Sequence, residues 1–180
     1  MVLGRRDLLK LAVGASALGL ARPALATSLA SGPRSLALTN LHTGESLTAA
    51  YFENGAYVPD ALAALSHVLR DFRTGESHVM APGLFDLITA LQSSLATTAR
   101  VEVISGYRSP ATNAALHAES SRVATHSLHM DGMAMDIRIP GVELSRLRDA
   151  ALALGRGGVG YYPDAANNFV HVDVGRVRRW

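Results

Sequence analysis

The chain is 180 residues long, carries 17 basic against 15 acidic side chains and contains no cysteine. The missing thiols exclude disulfides, thiolate metal ligation and cysteine nucleophile chemistry, so any metal must be held by His, Asp or Glu. Four of the 17 basic and one of the 15 acidic residues fall within residues 1–26, leaving 13 against 14 in the remainder. A balance this even provides no basic stripe for nucleic acid.

In chain order, Arg5-Arg6-Asp7-Leu8-Leu9-Lys10 is a twin-arginine pattern. Leu11–Leu20 is a short apolar run, and Ala24-Leu25-Ala26 is a cleavage site of A-x-A type. The run is shorter than the ~20 apolar residues a membrane span needs. Residues 1–26 therefore read as a twin-arginine signal peptide, with no stable membrane span after cleavage. The mature protein is placed in the periplasm, or otherwise exported by that route. Residues 27–34, rich in Ser, Gly and Pro, read as a flexible leader. Residues 35–180 form one domain of ordinary size, expected to be a monomer.

Within that domain, Ser35–Asn40 alternates as a strand, His42-Thr43-Gly44-Glu45 is a turn and Leu47–Phe52 is the return strand of a hairpin. Asn54-Gly55 is a second turn. Val58-Pro59-Asp60 opens a helix with Leu62, Leu65, Leu69 and Phe72 along one face, ended by Thr74-Gly75-Glu76. Pro82 opens another, with Leu84, Leu87, Ile88, Leu91 and Leu95 on its stripe. Val101–Ser105 is a strand. Ser109-Pro110 caps a short helix over Ala111–Glu119, and Ser120–Leu128 has no period and reads as a loop. Ala134–Pro140 alternates, Glu143–Leu154 is helical with Leu144, Leu147, Ala151 and Leu154 inward, and Phe169–Val174 is the last strand. Between the last two elements, Gly155, Gly157, Gly158 and Gly160 stop the helix and leave little bulk nearby. Strands and helices without regular βαβ alternation indicate an α+β fold.

The chemistry concentrates in Ser127-Leu128-His129-Met130-Asp131-Gly132-Met133-Ala134-Met135-Asp136 and in Phe169-Val170-His171-Val172-Asp173. Alternation puts Met133, Met135, Ile137 and Ile139 on the core side, so Asp136 points the other way. Val170, Val172 and Val174 likewise share one face, and His171 and Asp173 the opposite one. If the two strands are neighbours, Asp136 and His171 meet on the non-core side. Gly132 permits a bend that returns His129 toward them. Two imidazoles and one carboxylate are a donor set for a catalytic zinc ion with a fourth position for water. Taken singly, each His or Asp is equally at home in an ordinary surface or ion-paired position.

Ser105-Gly106-Tyr107-Arg108, followed by S-x-H-x-x-G-x-A-x-D and a late strand histidine, resembles the zinc D-alanyl-D-alanine peptidases. That superfamily includes the hedgehog amino-terminal domain. The motifs are most similar to its murein endopeptidase K branch. Leu41-His42-Thr43-Gly44-Glu45, Leu69-Arg70-Asp71-Phe72-Arg73, Gly157-Gly158-Val159-Gly160-Tyr161-Tyr162 and Phe169-Val170-His171-Val172-Asp173 occur in that branch's order across residues 35–180.

The resemblance implies a hedgehog/D,D-peptidase-like fold, with helices on a small, mostly antiparallel sheet and a zinc cleft. It implies His129, Asp136 and His171 as zinc ligands, and Arg108 in the cleft, gripping a substrate carboxylate or the developing oxyanion. Ser127 orients its loop by a hydrogen bond. Tyr161 and Tyr162 either line the cleft or are buried with bonded hydroxyls. Relatives carry a Glu or Asp three residues before the last ligand, as general base. Here that position is Asn168, whose amide takes no proton and is left to bond substrate or backbone. Asp173 is then either the base or the acceptor of a ligand imidazole's second N–H, and His126 is a further option for the base.

The implied function is zinc-dependent hydrolysis of amide bonds in peptidoglycan stem-peptide cross-links, whose stems contain D-amino acids and meso-diaminopimelate. The alternatives are a D,D-carboxypeptidase and a catalytically weak, zinc-stabilised cell-wall-binding domain.

Overall fold

The computed structural model describes residues 32–180 except 121–122 and 165–166. The signal segment 1–26 and residues 27–31 of the leader lie outside the described residues. Strand β1 (Arg34–Asn40) begins one residue before the alternation predicts and pairs antiparallel with β2 (Ser46–Glu53). Asn54 and Gly55 both take positive φ (52° and 81°), which fits the tight turn into the two-residue strand β3 (Ala56–Tyr57).

Helix α1 (Pro59–Val68) carries its proline in the first turn and stops earlier than its apolar spacing predicts. The reason is a competing acceptor site. Leu69 is fully buried, and its carbonyl receives the Tyr107 amide at 2.7 Å, so the chain leaves the helix there. Gly106 passes so close to Leu69 that a Cβ would collide with the Leu69 carbonyl oxygen. Phe72, expected on the helical stripe, instead stacks on His42 with ring centroids 3.7 Å apart.

Helix α2 (Pro82–Ser94) buries Leu84, Leu87, Ile88 and Leu91 of the stripe read from the sequence, and Phe85 beside them. Strand β4 (Val101–Ser105) leads into α3 (Pro110–Glu119), whose Ser109 cap accepts the Thr112 amide at 3.2 Å. Strand β5 (Ala134–Arg138) precedes α4 (Leu144–Leu154), which buries Leu147 and Ala151 and ends on Gly155 with φ 59°.

Strand β6 (Gly158–Tyr162) was legible only as a helix-stopping glycine run, because glycine is depleted in strands. Here the bareness is required: a Cβ on Gly157 would run into the backbone of Asp173. Strand β7 (Phe169–Asp173) is not the last, since Arg178–Arg179 adds β8 beside β6.

All eight strands form one sheet in the order β3-β2-β1-β4-β5-β7-β6-β8. The expected small sheet is therefore corrected to a broad, open one. It is mostly antiparallel, as expected, with parallel pairing only between β1 and β4 and between β6 and β8. Helices α1, α2 and α4 supply the core with Leu65, Leu84, Ile88, Leu91 and Leu147. These pack with Leu36, Leu38, Val103, Met135, Ile137, Val170 and Val172 of the strands. Each such side chain contributes about 1.5–3 kcal/mol by leaving water. Among the described residues no helix is long and apolar enough to cross a membrane.

Candidate metal centre

The site stands on the sheet face opposite this core. Met135, Ile137, Val170 and Val172 are fully buried on the core side, so the intervening residues of β5 and β7 project the other way. Pairing is antiparallel, with Asp136 opposite His171 and Ala134 opposite Asp173. Directly paired residues share a face, and this register brings the carboxylate to the imidazole: Asp136 Oδ1 lies 2.9 Å from His171 Nδ1.

His129 arrives from the turn before β5. The Met133 amide donates to the Leu128 carbonyl at 2.9 Å, and Gly132, at φ 65°, closes the turn. A Cβ on Gly132 would stand 2.5 Å from the Val79 carbonyl oxygen, so only glycine fits this bend. The His129 carbonyl accepts the Arg108 amide at 3.1 Å, which ties the turn to the segment after β4.

The ring nitrogens are assigned by their outer partners. His129 Nδ1 lies 2.7 Å from the Gly106 carbonyl oxygen, which can only accept, so Nδ1 bears the proton and Nε2 presents a lone pair. His171 Nε2 lies 3.1 Å from Asp173 Oδ2, leaving Nδ1 as the lone-pair atom. His129 Nε2 faces His171 Nδ1 at 3.2 Å and Asp136 Oδ1 at 3.3 Å. One ligand atom from each of the three residues lies within 4.8 Å of the others, and all three residues are buried. Three acceptors aimed at one point repel unless a cation, or a proton, sits among them. The donor set therefore fits a divalent metal with N and O ligands.

Charge distribution agrees. Burial alone would raise the Asp136 pKa, yet His129 and His171 hold it far below the usual carboxylate range. Burial pushes the His129 imidazole down. Burial also disfavours charge on His171, but hydrogen bonds to Asp136 and Asp173 outweigh it and raise the imidazole to about 9.

Arg108 lies beside this cluster, with Nη2 3.7 Å from Asp136 Oδ2. Its Nε is buried without a partner and Nη1 reaches Asn113 Oδ1 only at 3.5 Å. A largely buried guanidinium with spare donors suits an incoming anionic group. The cleft has a volume of about 530 Å³ and is lined by Arg108, His126, Ser127, Tyr162, Asn167, Phe169, Arg178 and Trp180 beside the three ligand residues. Ser127 Oγ accepts the His129 amide at 3.4 Å. His126 is exposed and faces the cleft.

Three further residues singled out in the sequence sit away from the open cleft. Asp173 is fully buried and both its oxygens are engaged. Oδ1 accepts from the Gly158 and Gly175 amides at 3.0 and 2.8 Å, while Oδ2 takes His171 Nε2 and Arg178 Nη2 at 3.1 and 2.8 Å. In this setting it accepts the His171 N–H, one of the two roles read for it from the sequence. Asn168 does not line the cleft; it takes φ 48° in the exposed approach to β7, and its neighbour Asn167 reaches the cavity instead. Tyr161 is absent from the cleft as well, because β6 alternation turns it toward the core, where Arg148 covers its ring at 4.4 Å.

Arg178 and Trp180, near the end of the sequence, also line the cleft, and the Gly106 carbonyl holds His129 Nδ1. Backbone atoms carry no signal in residue type, and the Arg178–Asp173 pair depends on β8 joining the sheet.

A sheet that presents two tautomer-locked histidines and an aspartate to one point, with an unsatisfied arginine alongside, defines a metal-site hydrolase of the peptidase class. Residues 28–180 match the family described as Peptidoglycan L,D-endopeptidase MepK, and the chain belongs to that family. It is similar to the peptidoglycan L,D-endopeptidase MepK of Escherichia coli (strain K12), with 49% identity over 179 residues covering 98% of this chain and 96% of the relative. The protein of the same name from Shigella flexneri shows the same identity and coverage. A relative from Haemophilus influenzae, named "Probable peptidoglycan L,D-endopeptidase MepK", is 41% identical over 174 residues, or 94% of this chain and 92% of its own length. No solved structure matches the chain.

Proposed function

We propose that this protein is a zinc-dependent murein endopeptidase that hydrolyses an L,D-peptide bond in the stem-peptide cross-links of peptidoglycan, acting in the periplasm after twin-arginine export. The carrying observation is the convergence of His129 Nε2, Asp136 Oδ1 and His171 Nδ1 with both imidazole tautomers set from outside. The names of relatives covering almost the whole chain supply the substrate.

His129, Asp136 and His171 would hold the zinc ion, which supplies Lewis acidity toward the scissile carbonyl and acidifies a hydrolytic water. Arg108 offers its Nη donors to the oxyanion, or to a substrate carboxylate, from a largely buried position beside Asp136. With Asp173 sequestered and Asn168 outside the cleft, the water's proton goes to His126, which lines the cleft, and from there to the leaving amine. Gly106 and Asp173 keep the ligand rings from rotating as charge develops.

One observation favours a non-hydrolytic, zinc-stabilised binding role instead: Asp136 is the only carboxylate among the described residues lining the cleft. Incubating the purified protein with isolated sacculi, followed by muropeptide mass analysis with and without EDTA, decides between them. Endopeptidase action releases the halves of cross-linked muropeptides. Free D-alanine would instead indicate a carboxypeptidase, and unchanged sacculi a binding domain.

A further inference from the structure

The aromatic side of the cleft has no place in the hydrolytic scheme above. Gly160 stands opposite His171 in the β6–β7 pairing, so the sheet face beside the imidazole is bare backbone. The indole of Trp180 fills that space, its ring centroid 5.1 Å from that of His171. A Cβ on Gly160 would stand 2.8 Å from Trp180 Cε2 and Nε1, closer than real side chains pack. Trp180 is pinned there by β8: its amide donates to the Val159 carbonyl and its carbonyl accepts the Tyr161 amide, both at 3.2 Å. Its Nε1 donates to Tyr162 Oη at 2.6 Å, and Tyr162 packs on Phe169 with centroids 4.7 Å apart.

The three rings thus form a continuous wall of the cavity that also contains the metal ligands and Arg108. Trp180 nevertheless remains 49% exposed. Its single polar side-chain atom is already used inside the wall and the Arg178 guanidinium stands 4.8 Å from the ring centroid, so the part of the indole left open to the cleft is π-surface, which packs against methylene chains and peptide planes.

We propose that Trp180 is a substrate-binding residue, whose exposed indole face holds the aliphatic chain of a stem-peptide residue flanking the scissile bond. This rests on the peptidoglycan reading above. A contact made equally in the ground and transition states changes KM and leaves kcat alone.

The test is steady-state kinetics of the zinc-loaded protein on soluble cross-linked muropeptide dimers. Trp180→Ala should raise KM about tenfold, with kcat and zinc content unchanged, and Trp180→Phe should recover most of the loss. Gly160→Ala, which expels the indole without removing it, should reproduce Trp180→Ala, and the double variant should be no worse than either single one. As Trp180 is the only tryptophan in the sequence, binding of the cleaved muropeptide should also change intrinsic fluorescence saturably. An unchanged KM in Trp180→Ala, or a fall in kcat matched by zinc loss, would overturn the assignment and make Trp180 a prop for His171. No cleavage by the wild-type protein in the same assay would instead overturn the peptidoglycan reading, and this inference with it.

Discussion

Asp136 and His171 face each other across the β5–β7 ladder, their side chains 2.9 Å apart although 35 residues separate them in the chain. This one register places two of the three ligand atoms. A slip by a single residue would turn Asp136 into the hydrocarbon side of the sheet. The metal site is thus a property of strand pairing, and the Gly132 turn then has only to deliver His129.

Replacing a ligand should remove metal and activity together. His129→Ala and His171→Ala each leave two protein ligands, too few for a closed zinc site. Elemental analysis after dialysis should show zinc near background in both variants, with sacculus cleavage lost. EDTA should inhibit the wild-type protein, and added zinc should restore it. Full zinc occupancy in either variant would refute the ligand set.

Asp173→Asn distinguishes orientation from proton transfer. The change leaves Arg178 without its carboxylate partner and frees His171 to rotate or exchange tautomers. Losing one member of a buried pair costs about 3 kcal/mol, and losing an outer partner of a ligand histidine weakens metal binding by about 10–100-fold. Denaturant unfolding and chelator competition measure these two effects. Because Asp173 acts through His171, excess zinc should recover turnover. An enzyme that stays inactive at saturating zinc would restore Asp173 as the base.

His126→Ala should lower kcat by about 10²–10⁴-fold, the usual yield of a positioned base, with zinc content and unfolding midpoint unchanged. His126 is exposed on the loop before the turn that carries His129. Activity equal to wild type would exclude it from the reaction.

Acid stability should depend on Asp71. This carboxyl is buried, which by itself would raise its pKa. Hydrogen bonds from Thr112, from Ser109 and from the Arg73 amide more than compensate and hold it at about 2, below its ordinary 3.8. A depressed folded-state pKa stabilises above the unfolded value, and the benefit is lost as pH falls toward 2. Asp71→Asn should therefore cost about 1–2 kcal/mol at pH 7. The gap between variant and wild type, followed by urea unfolding, should narrow between about pH 4 and pH 2. Asp71 Oδ2 accepts the Ser109 amide at 2.8 Å, immediately after Arg108, so the same variant should also weaken substrate binding.

Residue type and spacing alone were enough to indicate the hairpin β1–β2, the stripe of α2, the Ser109 cap and the strand faces of β5 and β7. Each of these depends on neighbours within a few positions, through periodicity or a local hydrogen bond. The three candidate ligand residues were brought to notice for the same reason: alternation put Asp136 and His171 on the non-core side, and a glycine stood where His129 had to turn back. The family motifs added their roles. The rest depended on contacts distant in the chain. Helix α1 ends where it does because Tyr107 takes the Leu69 carbonyl. The glycine run became β6 because Gly157 had to pass the Asp173 backbone, and β8 carried Arg178 and Trp180 into the cleft. Asp173, with Asn168 and Tyr161, shows the limit most plainly. Its place two residues after His171 put it on the same face as that imidazole, but only the folded sheet brought two amides and Arg178 to saturate its oxygens.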